Sequence, residues 1–159
     1  MDYERDGSGI VEIPHGLAAR PLRILNIILR VSDLEKSLGF YIGALGMQLL
    51  RRQDHPSERE TRAFLGYLGG GGGSELELAH SWDHAGPYDL GTGFGHISIA
   101  VRDIYASCSE LAEHGVKIAR VPGPTKFDGA LSALIQDPDG YKVELVQSNA
   151  FCASNEDET

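Results

Sequence analysis

Along residues 93–103 the apolar and polar positions alternate with the period of a strand. Ile97, Ile99 and Val101 fall on one face, and His96, Ser98 and Ala100 on the other. The chain contains this pattern twice. Residues 26–37 laid over residues 96–107 match at Val31/Val101, Asp33/Asp103 and Ser37/Ser107. Apolar residues pair at 27/97 and 34/104, and Asn26 falls opposite His96. Each copy is followed further on by a strand with one glutamate between apolar residues. The first is Leu76-Glu77-Leu78 and the second Val143-Glu144-Leu145. The chain therefore reads as two copies of one unit.

The pattern predicts a strand over 22–31, with Asp33 as the N-cap of a helix. That helix carries Leu34, Leu38, Tyr41, Ile42 and Leu45 on one stripe and stops at Gly46. Strands follow over 48–52, 61–67 and 75–81, with a turn at 54–57. The five glycines at 69–73 read as a hairpin connection. They lack the Gly-Lys-Ser/Thr ending of a phosphate loop, which argues against a nucleotide. The second copy repeats the order: strand 96–101, then a helix over 104–114 with Ile104, Cys108 and Leu111 inward and Gly115 as its stop. A strand over 116–120, a loop at Pro122-Gly123-Pro124, a strand over 131–136, a turn at 137–140 and a strand over 141–146 complete it. Each module is βαβββ, and the fold class is α+β, with eight strands.

Length and composition narrow the picture. The chain of 159 residues is 42% hydrophobic, enough for one domain or two small modules sharing a core. We expect an arm over 1–21, a domain over 22–148 with modules at about 22–82 and 93–148, and an acidic tail over 149–159. The net charge of −9 argues against a nucleic-acid or anionic-membrane partner. Cys108 and Cys152 make no metal or redox motif and suggest a reducing compartment. No run is apolar enough to span a membrane, and residues 1–20 lack a signal-peptide core, so the expected location is the cytoplasm.

Strand parity then places the candidate chemistry. If Leu76 and Leu78 face the helix, Glu77 faces away; if Val143 and Leu145 do, so does Glu144. Likewise Ile27, Leu29 and Val31 leave Asn26 and Arg30 on the other side. Asn26, Glu77, His96 and Glu144 are expected to line one concave surface built from two four-stranded sheets. Two carboxylates there without a cation would be costly, and a divalent metal removes that cost. Two carboxylate oxygens, an imidazole and an amide oxygen suit such an ion. Taken singly, each glutamate fits a solvated edge-strand face; the repeat and the agreement of parity favour a metal site. His80 and His84 flank Trp82, but His80 has the wrong parity relative to Glu77. His15, His55 and His114 are expected in an arm, a turn and a helix end, exposed.

These residues carry a resemblance. Over about 22–147 the chain resembles the vicinal-oxygen-chelate superfamily and, within it, the glyoxalase I family. The most specific stretches are residues 29–33, 40–47, 93–97 and 137–145. The resemblance implies paired βαβββ modules in a half-barrel-like metal site, with Asn26, Glu77, His96 and Glu144 as ligands. Asn26 stands where the family usually has His or Gln. It implies a homodimer with active sites between the subunits and a glutathione-derived substrate. Arg30 and Lys126 match its basic glutathione contacts, and Ser81 takes the place of an Asn. The implied reaction isomerises the methylglyoxal–glutathione hemithioacetal to S-lactoylglutathione, with Glu144 moving the proton and Glu77 as its partner. Nickel or cobalt is expected before zinc, because the donors include no sulfur and the loop 82–93 is short, as in nickel-preferring members.

Three rivals stand beside this reading. A ring-cleaving oxygenase would need two histidines and one carboxylate, whereas one histidine and two glutamates are present. Another isomerase or epimerase, acting on a different thiol adduct or acyl thioester, would use the same site. A non-catalytic small-molecule-binding protein of the same fold generally lacks the ligands.

Overall fold

A computed structural model of the chain describes residues 23–67, 74–125 and 129–148. The first module runs β1 (Asn26–Arg30), α1 (Leu34–Leu38), a π-helical turn (Gly39–Ala44), β2 (Gln48–His55), β3 (Glu60–Gly66) and β4 (Glu75–Ser81). The second runs β5 (Ile97–Val101), α2 (Ile104–Glu113), β6 (Lys117–Pro124), β7 (Leu131–Gln136) and β8 (Lys142–Gln147). Each builds a four-stranded sheet with one strand order, β1-β4-β3-β2 and β5-β8-β7-β6. The expected paired βαβββ modules are therefore present, and the internal repeat is a structural one. The arm, the five-glycine loop, Lys126, Cys152 and the acidic tail lie outside the described residues.

The repeated Asp does the same work in both copies. Asp33 accepts a hydrogen bond from the Lys36 amide, and Asp103 accepts from the amides of Tyr105 and Ala106. Each satisfies N–H groups that a helix start leaves without partners. Gly46 and Gly115 end the helical segments at φ of +69° and +78°, conformations that a side chain resists.

The first helix departs from the expected stripe. After Leu38 it widens into a π-turn, so Phe40 is buried beside Tyr41, while Ile42 and Leu45 are only half-buried. The wider turn rotates two adjacent aromatic rings into the core, where their centroids lie 4.9 Å apart. Two other boundaries differ. β2 runs on to His55, where a turn was expected, and β6 runs through Pro122-Gly123-Pro124, where a loop was expected. Both are edge strands, where a missing N–H breaks no ladder. Accordingly His55 is half-buried in a strand instead of exposed in a turn.

One apolar cluster joins the modules, from Leu29, Val31, Leu65 and Leu78 to Ile104, Ile135, Val143 and Leu145. The seam also holds buried polar bonds. The Tyr41 hydroxyl donates to Asp137 Oδ2 at 2.9 Å, and the Tyr141 hydroxyl donates to the Arg30 carbonyl at 3.1 Å. Burial pushes the Asp137 carboxyl above its ordinary range, and burial raises Tyr41 too. A raised carboxyl stabilises the fold below its unfolded pKa and loses that contribution as pH rises through the folded value. Tyr41→Phe leaves Oδ2 without its donor. It is expected to cost about 1–3 kcal/mol at neutral pH, less in acid, read from urea melts at the two pH values. Among the described residues, no helix is long and apolar enough to cross a membrane.

Candidate active site

In each sheet the strand that opens the module pairs in parallel with the strand that closes it. Ile28 lies opposite Glu77, and Ser98 lies opposite Glu144. Asn26 and His96 each stand two residues before those partners. The side chains follow: Asn26 Nδ2 donates to Glu77 Oε2, and His96 Nε2 lies 3.2 Å from Glu144 Oε2. The two copies thus bring together the same pair of positions. Asn26 with Glu77 makes one half-site, and His96 with Glu144 makes the other.

The single chain does not gather the four. Among the described residues, no group of three or more His, Cys, Asp or Glu comes together as a metal-binding cluster. The four donors are met as two pairs, Asn26 with Glu77 and His96 with Glu144.

The half-sites differ in their company. Glu77 is 2% exposed, on the face of β4 away from α1. Arg62, from the neighbouring β3, brings Nη1 to 3.0 Å from Glu77 Oε1 and Nε to 2.6 Å from Glu60 Oε1. Arg30 is exposed, its Nη1 3.9 Å from Glu60 Oε2. Ser81 ends β4 opposite Glu60, on the same face as Glu77. Further along that face Arg51 pairs with Glu75 through two bonds of 2.8 and 2.6 Å and lies over the Phe64 ring.

Glu144 is more open, its side chain 17% exposed. Its Oε1 accepts from Ser132 Oγ at 2.9 Å and lies 3.3 Å from Arg120 Nη2; its Oε2 accepts from Ser98 Oγ at 3.3 Å. Arg120 in turn donates to the Ser132 hydroxyl at 2.6 Å. His80 Nδ1 meets the Val31 carbonyl at 3.1 Å. His84 stacks on Tyr88, the centroids 3.8 Å apart.

Sequence reasoning missed Glu60, Arg62, Ser98, Ser132 and Arg120 as neighbours of the two carboxylates. Alternation in β3 held a signal for two of them. Thr61, Ala63 and Leu65 are buried toward the core, so Glu60, Arg62 and Phe64 face the other way. Arg120 gave none, because register shifts flank it on both sides in β6 and break the parity.

Two carboxylates, an imidazole and an amide, none of them sulfur, fit a hard or borderline divalent cation. Each half-site supplies two of these donors, too few for a closed site alone. Fold and donors together define a two-module protein with one carboxylate-bearing pair on each sheet.

The description Glyoxalase/Bleomycin resistance protein/Dioxygenase superfamily matches residues 23–145. A probable lactoylglutathione lyase of Synechocystis is 46% identical over 127 residues, which are 80% of this chain and 96% of that protein. Glyoxalase I from Zea mays superposes with a TM-score of 0.73 at 41% identity, over 79% of this chain and 44% of the maize one. This chain thus spans less than half of the maize chain's length. The trypanothione-dependent glyoxalase I of Leishmania major superposes with a TM-score of 0.71 at 32% identity, over 83% and 91% of the two chains. The chain belongs to the glyoxalase superfamily and, within it, to the lactoylglutathione lyase (glyoxalase I) family.

Proposed function

We propose that the chain is a metal-dependent lactoylglutathione lyase, which isomerises the hemithioacetal of methylglyoxal and glutathione to S-lactoylglutathione. The observation that carries this is the pair of half-sites. Each has a carboxylate and a neutral donor at repeated positions, in a chain 46% identical to a probable lactoylglutathione lyase. Asn26 and Glu77 of one copy, with His96 and Glu144 of a second copy, would hold one divalent cation. That ion supplies Lewis-acid stabilisation of the charge that develops on the substrate oxygens.

The chain's own residues do the rest. Glu144 takes the proton from C1 and returns it at C2. It suits this task better than Glu77 because it is the more accessible carboxylate. Ser132 and Ser98 hold its two oxygens in place. Arg30 is exposed on the Glu77 face and can meet a glutathione carboxylate, with Ser81 beside it. Lys126 is proposed to add a second cation to that subsite. The free Cys108 is buried and fits a reducing, cytoplasmic setting.

The test is formation of the 240-nm thioester from methylglyoxal, with and without glutathione, by metal-free protein reloaded with each cation. Activity that needs both glutathione and metal supports the reading, and turnover of another thiol adduct alone moves the protein to a different isomerase. With no sulfur among the donors, Ni²⁺ or Co²⁺ is expected to give more activity than Zn²⁺. Activity with Zn²⁺ alone overturns that preference.

A further inference from the structure

Glu77 poses a problem that Glu144 does not. At 2% exposure its carboxylate is almost cut off from water, and a carboxylate in that position needs a counter-charge. The single chain already provides one. Arg62 reaches Glu77 Oε1 at 3.0 Å and is anchored from the other side by Glu60 at 2.6 Å, so the guanidinium is fixed between two carboxylates. Asn26 takes the remaining oxygen, Oε2. Both oxygens of Glu77 are thus engaged before a metal or a second subunit contributes anything.

We infer that Arg62 is the standing counter-charge of Glu77: it keeps this half-site folded without metal, and it lowers the affinity with which a divalent cation binds there. The inference rests on the reading of Glu77 as a metal ligand. The reason is Coulombic. The ion must share Glu77 with a positive group fixed at contact distance, and that repulsion is absent if Arg62 is neutral. Arg120 does not have the same standing, because Glu144 is partly solvated and has two serine hydroxyls and an imidazole for company. Arg62 is a positioning residue, acting through Glu77.

The experiment measures Ni²⁺ affinity by competition with a chromophoric chelator, and the melting temperature of the metal-free protein. Arg62→Gln is expected to bind Ni²⁺ about 10- to 100-fold more tightly than wild type. Its metal-free melting temperature should fall by about 5–10 °C, with the loss recovered when Ni²⁺ is added. Arg62→Lys, which keeps the charge, should stay within about threefold of wild-type affinity. Arg51→Gln removes a cation from the same sheet face that is bonded to Glu75 and reaches Glu77 only at longer range, and should change affinity much less than Arg62→Gln. If Arg62→Gln is too unstable to isolate, the double variant Arg62→Gln/Glu77→Gln removes the stranded carboxylate and should regain a stable metal-free fold.

Unchanged or weaker Ni²⁺ binding by Arg62→Gln overturns the inference, as does equal tightening by Arg51→Gln. Failure of the double variant to recover stability overturns it as well. The underlying reading fails separately. If Glu77→Gln binds Ni²⁺ as wild type does, Glu77 is not a ligand, and the affinity claim falls with it.

Discussion

Glu144→Gln is expected to lower turnover of the metal-loaded protein by about 10²–10⁴-fold, the usual loss when a general base is removed. The fold should survive. Gln has the shape of Glu, and its carbonyl oxygen can still accept from the Ser132 hydroxyl or from Arg120. Its amide can point to His96 Nε2, which accepts in one tautomer. What the amide lacks is basicity at neutral pH. Glu77→Gln should affect proton transfer less, because that group is sealed behind Arg62 and Asn26, but it should weaken metal binding by removing a ligand charge. Glu75→Gln is the control: it lies on the same face, paired to Arg51, outside the half-site. Kinetics at saturating metal decide, and wild-type turnover in Glu144→Gln sinks the assignment of the base.

How far the sequence led can be followed residue by residue. Two-residue alternation placed Asn26, Glu77, His96 and Glu144 on faces turned from the helices, and the repeat matched Asn26 to His96. The parallel pairings β1–β4 and β5–β8 set Glu77 opposite Ile28 and Glu144 opposite Ser98, two residues on from Asn26 and His96. Parity succeeds here because the buried partners on either side, Leu76 and Leu78, Val143 and Leu145, leave one face open to the glutamates. Asp33 and Asp103 were equally legible, since a capping side chain acts within its own turn.

Long-range register was not legible. Arg62 meets Glu77 only because β3 pairs with β4 so that Phe64 lies opposite Glu77, and alternation within one strand cannot fix that offset. Arg120 lies between two register shifts, each an added residue that turns the following side chains over. The edge strands misled for a related reason. Pro122, Gly123 and Pro124 carry turn signals, yet an edge strand tolerates them because one side of its backbone has no ladder partner. The π-turn at 39–44 is also invisible to a 3.6-residue stripe, which put Ile42 and Leu45 where Phe40 is buried.

At a metal concentration too low to load Glu77→Gln, mixing two variants that are each inactive there should restore activity, which follows from the proposed split of donors between two subunits. In the proposed homodimer each site takes Asn26 and Glu77 from one subunit and His96 and Glu144 from the other. The separation of the two pairs within a chain supports this, as do the exposed apolar residues Ile24, Leu25, Ile27 and Ile28 at β1, which a partner surface would cover. Consider Glu77→Gln and Glu144→Gln subunits unfolded together and refolded as a mixture. In a mixed dimer one site receives both substitutions and the other receives neither. Random pairing makes half of the dimers mixed, and half of their sites are intact, so about a quarter of wild-type activity should return. The variants refolded separately should give only their residual rates. A site built within one chain predicts no recovery at any mixing ratio, and a 17.2 kDa species with full activity in sedimentation would exclude the shared site. Recovery that scales with the fraction of mixed dimers would assign the two half-sites to opposite subunits.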